Sequence, residues 1–172
     1  MTEISLIRHC KGALGLRFFG LGPNLKPTNG LIKLQKLLNN NTFWAKNRTI
    51  DDLKKCLANS DVVISLWVGK EIVGFGRALT DGTYRGVLWD IVIDQNHQGK
   101  GFGTLIVKNL LSSKKIKNTK KIYLMTTNKK LFYSQLDFKK VTSQNLLIRE
   151  IRSFIESKSG NKFTIKPSYK RS

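Results

Sequence analysis

The 172-residue sequence has only two cysteines and 11 acidic residues, and it has no long apolar run. Cys10 and Cys56 lie in no CxxC or Cys/His spacing, which excludes a disulfide framework and a zinc site as the basis of the fold. A membrane-spanning helix needs about 20 consecutive apolar residues, and a secretory signal needs an apolar core near its start. The sequence contains neither, so it predicts a soluble intracellular domain with no metal and no membrane partner.

The scarcity of acidic residues leaves the chain strongly basic, and the excess is local. Lys and Arg number 31 and the net charge is +20, but residues 51–94 carry −2 and residues 95–172 carry +15. Such asymmetry is typical of proteins that bind a polyanion. The lysines of residues 100–140 lack the interleaved exposed aromatic residues of a single-strand binding surface, and no RNA-binding motif is present. Nucleic acid is therefore a possible partner, but the sequence does not favour it.

Residue usage also bears on origin. Lys, Asn and Ile account for 51 of 172 residues, and all three have A/T-rich codons. We interpret this as the mark of an AT-rich genome, such as that of a plastid or a low-GC bacterium. We therefore expect the plastid stroma as the location, or otherwise the cytoplasm, and part of the positive charge can follow from codon bias alone.

The hydrophobic pattern predicts a single α+β domain, which suits a chain of this length. Helical spacing of apolar residues predicts helices at 30–40, 50–59, 102–113 and 129–136. Alternating and continuous apolar runs predict strands at 61–68, 71–79, 84–94, 120–126 and within 138–151. The sheet should be mixed and mostly antiparallel, with one parallel βαβ crossover and helices on both faces (an α/β/α arrangement). We expect residues 1–29 to be an extension or edge strand, 30–151 the domain, and 152–172 a basic tail.

A glycine-rich turn follows the third strand and opens the third helix: Gln98-Gly99-Lys100-Gly101-Phe102-Gly103. Exposed backbone N–H groups and the helix dipole make such a turn an anion site, and glycine lets a phosphate approach closely. The turn is not a Rossmann fingerprint (GxGxxG), because Thr104 occupies the position of the third glycine. It is not a P-loop either, because the pattern GxxxxGK[ST] is absent from the sequence. The alternative is a helix-entry turn whose glycines serve only packing.

This turn, together with the Ile91–Asp94 strand before it, resembles the acyl-CoA pyrophosphate loop of the GNAT acetyltransferases. The segment Leu131–Phe138 is similar to that family's "FYxxLGF" signature, with Asp137 in place of glycine. The whole pattern is most similar to plastid-type and cyanobacterial members. The resemblance implies the GNAT fold, acetyl-CoA as co-substrate, and acetyl transfer to a primary amine in a ternary complex. The acceptor would be a protein lysine, a protein N-terminus or a small arylalkylamine.

The resemblance also implies roles for individual residues. The backbone of Ile91, Val92 and Ile93 would pair with the pantetheine arm, and the N–H groups of residues 98–103 would hold the pyrophosphate. Asn128 would contact the cofactor, or else cap a helix. Tyr133 would act as general acid toward the leaving thiolate, or else pack the helix against the sheet. Asp137 would adopt the left-handed conformation that the family's glycine has.

Three hypotheses remain open for Asp90, which lies inside an apolar strand: a general base whose pKa burial raises, an anchor for a cationic amine, or a satisfied structural carboxylate. We expect His97, beside the glycine turn, to face solvent. Two functions compete with the transferase: a basic RNA- or ribosome-binding module, and a GNAT fold that binds acyl-CoA without activity.

Overall fold

The computed structural model describes residues 3–9 and 29–149. The chain divides into two units, residues 1–138 and 139–172. The first unit is built on a five-stranded sheet in the order β1-β2-β3-β4-β5. Its strands are β1 (Ile4–His9), β2 (Val62–Val68), β3 (Glu71–Thr80), β4 (Arg85–Ile93) and β5 (Lys121–Tyr123).

The sheet is mixed, as predicted. Neighbours from β1 to β4 are antiparallel, and β5 is parallel to β4. Four helices accompany the strands: α1 (Gly30–Asn41), α2 (Ile50–Ala58), α3 (Phe102–Leu111) and α4 (Lys130–Ser134). One hydrophobic core joins α1 and α2 to one face of the sheet, and a second joins α3 and α4 to the other. The prediction of an α+β fold with helices on both faces is confirmed.

The first core explains why α1 and α2 form where the sequence predicts them. The leucines Leu34 and Leu38 lie one helical turn apart and are buried under the sheet. Helix α2 begins at a capping residue, because the Asp52 N–H donates to the Thr49 hydroxyl over 3.1 Å. Its buried Leu53 and Leu57 continue the same apolar stripe.

Helix α3 lies unusually close to the sheet, and this positions the glycine turn. A Cβ on Gly76 of β3 would approach the Ile106 side chain to 2.7 Å, so only glycine allows the helix to settle there. The start of α3 is thereby held next to the end of β4, as a βαβ crossover requires.

Two strand predictions need correction. Strand β5 covers Lys121–Tyr123 instead of 120–126, because its pairing with β4 ends at Val87 and the chain then turns, with Lys129 N–H donating to the Thr126 hydroxyl. The strand predicted within 138–151 is absent from residues 139–149, which contain no helix or strand. Three exposed apolar residues follow one another there, Leu146, Leu147 and Ile148, without the alternation that would place one face against a sheet.

The two ends of the chain are described only in part. Ile4–His9 is an edge strand that pairs antiparallel with β2, so the alternative of an edge strand in residues 1–29 has a counterpart in the structure. Residues 10–28 and the predicted tail at 152–172 lie outside the described residues. Within the described residues, no helix has the length and apolar character needed to cross a bilayer.

Candidate active site

Strand β4 loses its parallel neighbour part of the way along. The register joins Arg85–Val87 to Lys121–Tyr123 and stops there. From Leu88 onward, β5 offers no partner to the β4 backbone, and the predicted pantetheine segment Ile91–Ile93 lies in this unpaired stretch. A free strand edge of this kind can hydrogen-bond an extended, amide-containing ligand.

A β-bulge reshapes β4 just before that stretch. Phe75 pairs with Val92 and Arg77 with Trp89, so β4 contains one residue more than β3 over this interval. Asp90 lies in the bulge with φ of 53°, an uncommon conformation for a non-glycine residue in a strand. The bulge therefore changes the direction of the strand where its free edge begins.

The glycine turn presents an open cradle of donors at the start of α3. Gly99 has φ of 78° and Gly101 has φ of 77°, and a Cβ at either would meet nothing within 4 Å. Among the described residues, the backbone N–H groups from Gly99 to Thr104 have no protein acceptor. Unpaired N–H groups at a ten-residue helix's N-terminus attract anions. The turn can hold a pyrophosphate.

Side chains around the turn hold it in place. Asp94 accepts a hydrogen bond from Asn96 N–H over 3.1 Å and lies 2.9 Å from His97 Nδ1. The His97 hydrogen bond, more than any other contact, lowers the pKa of Asp94. The imidazole stacks on Phe102 with ring centroids 6.3 Å apart. His97 is therefore half-buried and bonded, and the expectation that it faces solvent is wrong.

The remaining residues of the turn differ in what they contact. The Gln98 amide nitrogen donates to the Ile93 carbonyl over 3.3 Å, while Lys100 is exposed. A Cβ on Gly103 would lie 3.1 Å from the Phe132 ring, so this glycine serves the contact between α3 and α4. Gly99 and Gly101 therefore face open space, whereas Gly103 is a glycine that serves packing, as the alternative interpretation of the turn predicted.

Tyr133 lies on α4, the helix that contacts the glycine turn through Phe132. Its ring makes edge-on contacts with Phe132 and Phe138, with centroids 4.8 and 5.9 Å apart. Burial raises the pKa of Tyr133 to about 12. Within the described residues its hydroxyl has no hydrogen-bond partner. The ring therefore packs the helix, and the hydroxyl is protonated and free to donate to a ligand.

Two neighbours of Tyr133 were singled out in the sequence. Asp137 adopts the left-handed conformation with φ of 64°, as predicted for the family's glycine position. Asn128 is exposed, and the residue that caps α4 is Lys129. The hypothesis that Asn128 is an N-cap is therefore wrong, and its contact with a cofactor stays a prediction.

Asp90 lies at the centre of a buried ion-pair network. Arg48 donates to both of its oxygens, over 2.9 and 3.1 Å, and Arg77 Nε donates over 2.6 Å. Burial alone raises the pKa of this carboxyl, but the hydrogen bond from Arg48 and the charge of Arg77 outweigh it, and the pKa is lowered. The expectation of a raised pKa for Asp90 is therefore wrong, and the geometry is that of a satisfied structural carboxylate.

Arg48 and Arg77 were missed in the sequence analysis. Arg48 immediately precedes the cap of α2, and Arg77 lies on the β3 face that carries Phe75, so the network fastens α2 to two strands. Nothing in the spacing of these residues pairs them with Asp90. Tyr133 belongs to the core on the opposite face, so the structure does not bring Tyr133 and Asp90 together.

An open cleft of about 340 Å³ lies beside the turn, at the C-terminal end of α1. Its lining is mainly amide and hydroxyl groups with one exposed aromatic ring and one lysine: Asn40, Asn41, Thr42, Phe43, Lys46, Gln95 and Gln98. Asn41 joins its two walls by accepting from Gln95 N–H over 2.8 Å. Among the described residues, no group of three His, Cys, Asp or Glu side chains could hold a metal.

Part of the chain matches a known family. Residues 59–140 match the acetyltransferase (GNAT) domain. They are a GNAT acetyltransferase domain. The resemblance seen in the sequence is thereby confirmed. The GNAT fold is shared with a GNAT family acetyltransferase from Streptococcus pneumoniae, with a TM-score of 0.64 at 17% identity, over 88% of this chain and 100% of that one.

The GNAT domain also has relatives linked to plastids. It is 36% identical over 72 residues to N-acetyltransferase ycf52 of Pyropia yezoensis, which is 40% of this chain and 41% of that protein. It is 33% identical over 78 residues to GCN5-related N-acetyltransferase 1, chloroplastic, of Arabidopsis thaliana, covering 42% and 40% of the two chains. The chain thus spans less than half the length of these curated relatives.

We expect Asp90→Asn to lower the free energy of unfolding at neutral pH by about 2–4 kcal/mol, because it leaves two partly buried guanidinium groups without their carboxylate. Since the folded-state pKa of Asp90 is lowered, its contribution is present above the unfolded value near 3.9 and is lost as the pH falls through the folded value. The loss should therefore shrink below about pH 4.

Urea denaturation of both proteins at neutral and acidic pH measures this effect. Asp51→Asn is the matched control, because its ion pair with Lys54 lies at the surface and should contribute much less. If Asp90→Asn were as stable as the parent protein and turnover were lost, Asp90 would be a base or an amine anchor instead.

Proposed function

We propose that the protein transfers an acetyl group from acetyl-CoA to a primary amine, by direct attack within a ternary complex. The observation that carries this proposal is the continuity of the free edge of β4 with the open cradle at Gly99 and Gly101. An extended amide-containing arm ending in a pyrophosphate fits that combination of donors. A free pyrophosphate or nucleotide would use the cradle but leave the strand edge unused.

Two sets of backbone groups would bind two chemically different parts of acetyl-CoA. The backbone of Ile91–Ile93 would hydrogen-bond the amides of the pantetheine arm like an added strand. The N–H groups from Gly99 to Thr104 would bind the pyrophosphate at the positive end of α3. The N–H groups of the turn have no protein acceptor among the described residues, so binding there replaces hydrogen bonds to water. At the strand edge the Ile93 carbonyl already accepts from the Gln98 side chain, which the pantetheine arm would displace.

Tyr133 would assist departure of the thiolate. The amine nitrogen attacks the thioester carbon, the C–S bond breaks, and the sulfur accepts a hydrogen bond from the Tyr133 hydroxyl. With a pKa of about 12, this hydroxyl stays protonated but is a weaker acid than an ordinary thiol, whose pKa is near 8.5. Its contribution is therefore hydrogen-bond donation to the developing negative charge, and the proton released by the amine leaves through water.

The mechanism uses no covalent intermediate on the enzyme. Cys56, the cysteine in the described part of the chain, is half-buried, and burial raises the pKa of its thiol. A thiol of raised pKa is a poor nucleophile at neutral pH. We place this enzyme in the plastid, because its codon-linked composition and its relatives in plastid-bearing organisms agree.

Initial-rate kinetics with an amine panel test the proposal. Lysine peptides, peptides with free N-termini and arylalkylamines are supplied with acetyl-CoA while thiol release is followed. We expect one class to be acetylated, with double-reciprocal plots that intersect. Parallel plots and an acetylated protein isolated without acceptor would replace direct attack by a covalent mechanism. Tight acetyl-CoA binding with no turnover on any amine would make the protein an inactive acyl-CoA-binding GNAT.

A further inference from the structure

A cluster of cations lies at the end of the sheet away from the glycine turn. The turn between β3 and β4 and the segment before β5 meet there, through hydrogen bonds from Lys120 N–H to Thr83 O over 2.9 Å and from Lys121 N–H to Tyr84 O over 3.1 Å. Six exposed cationic side chains share this end, which we call the basic end: Arg85, Lys114, Lys115, Lys117, Lys120 and Lys121.

The charge of the basic end is offset only in part, because Asp81 interacts electrostatically with Arg85. None of its six side chains forms an ion pair within the described residues. The two carboxylates nearby accept from backbone: Asp81 from Arg85 N–H over 3.0 Å and Asp61 from Thr80 N–H over 2.9 Å. A polyanion would therefore find unpaired cations held on a folded frame.

Aromatic rings lie among these cations, which the sequence did not reveal. The Lys120 ammonium is 5.0 Å from the ring centroid of Tyr84, a residue that is 57% exposed. The Arg85 guanidinium is 5.9 Å from the ring of Tyr123. The two tyrosines are 39 positions apart in sequence, so interleaving of aromatic and basic groups arises only in the folded chain.

The acetyl-CoA phosphates cannot be the partner of this surface. Strand β4 separates the two regions, with Arg85 at its start and the glycine turn after its end. Nine residues of strand place them about 26 Å apart. The basic end therefore needs a separate anion.

We propose that the basic end binds a single-stranded nucleic acid, with phosphates on the lysines and a base stacked on Tyr84. Exposed aromatic rings beside cations suit this ligand because each nucleotide offers a flat base and a charge together. An anionic membrane surface fits less well. Tyr84 is the one exposed large apolar residue of residues 80–85 and 112–123, which leaves no aliphatic group to insert.

Fluorescence anisotropy with a labelled oligo(U) of about 12 nucleotides tests this surface in the full chain. We expect binding that weakens steeply with salt. Tyr84→Ala should weaken it by about tenfold through lost stacking. Lys117→Gln with Lys120→Gln should lower the slope of log K against log salt by about 1.4, since each phosphate contact on a single strand contributes about 0.7.

The matched control is Lys36→Gln with Lys55→Gln, which removes two exposed charges from α1 and α2. This pair should leave the affinity and the salt slope unchanged. An equal loss in both lysine pairs, or no loss in either, would overturn the proposal, because net charge or another segment would then do the binding. Heparin or anionic phospholipid vesicles that bind as tightly, with no effect of Tyr84→Ala, would also overturn it. Gly101→Glu should leave oligo(U) binding intact, which separates this surface from the proposed acetyl-CoA site.

Discussion

Gly101→Glu is expected to weaken acetyl-CoA binding by about 100-fold. Gly101 caps α3 with φ of 77°, and its Cβ position points into the open space above the turn. A glutamate there would place a carboxylate against the N–H groups that we assign to the pyrophosphate. The carboxylate would accept hydrogen bonds from these N–H groups and would repel the negative charge of the ligand. Isothermal titration calorimetry with acetyl-CoA measures the loss directly.

Gly82→Glu supplies a control that is matched in nearly every respect. Gly82 has φ of 78°, and a Cβ there also meets nothing within 4 Å, but it lies in the turn between β3 and β4. Both substitutions carry the same left-handed strain, about 1–2 kcal/mol, and the same added charge. Only the position relative to α3 differs. If the two variants bound acetyl-CoA equally well, the glycine turn would not be the pyrophosphate site.

Tyr133→Phe is expected to lower kcat by about 10- to 100-fold while the KM for acetyl-CoA changes little. The estimate corresponds to the loss of one hydrogen bond to a developing charge. The phenylalanine ring can keep the edge-on contacts with Phe132 and Phe138. Because the hydroxyl has no protein partner among the described residues, its removal should not lower the Tm. Thiol release with the best amine of the panel measures kcat.

The loss of kcat at an unchanged Tm, and not the pH profile, separates this role from a merely structural one. A Tyr133 pKa of about 12 means that the hydroxyl stays protonated through the usual assay range. We therefore expect no loss of kcat from Tyr133 on the alkaline side until about pH 10. Tyr84→Phe removes the same atom from an exposed ring far from the glycine turn and should leave kcat unchanged. Equal turnover in Tyr133→Phe and the parent protein would remove Tyr133 from the mechanism.

Local pattern was sufficient for the parts of the fold that local physics controls. The cap at Thr49 and the helical leucine spacing of α1 each depend on a few neighbouring residues. The glycine turn belongs to the same class, because its conformation and the helix that follows it are encoded within six residues. Strand β5 was overestimated since its length depends on how far β4 stays beside it.

Contacts between segments that are distant in sequence could not be predicted from local pattern. Asp90 was read as a carboxylate in an apolar strand, and burial alone would raise its pKa. The structure brings Arg48 to it from the segment before α2 and Arg77 from β3, and their hydrogen bonds and charges reverse the direction of the shift. The same holds for Gly103, whose contact is Phe132 on another helix.

By itself the sequence determined the order of helices and strands from α1 to α4, the glycine turn and the presence of a basic half, since each depends on neighbouring residues or on composition. Only the tertiary structure decided where the charge is usable. It pairs the partly buried Arg48 and Arg77 with Asp90, and it leaves the exposed cations of the basic end without an ion pair among the described residues. It also sets Lys120 beside Tyr84, because the interaction of charges depends on distance in space and not along the chain.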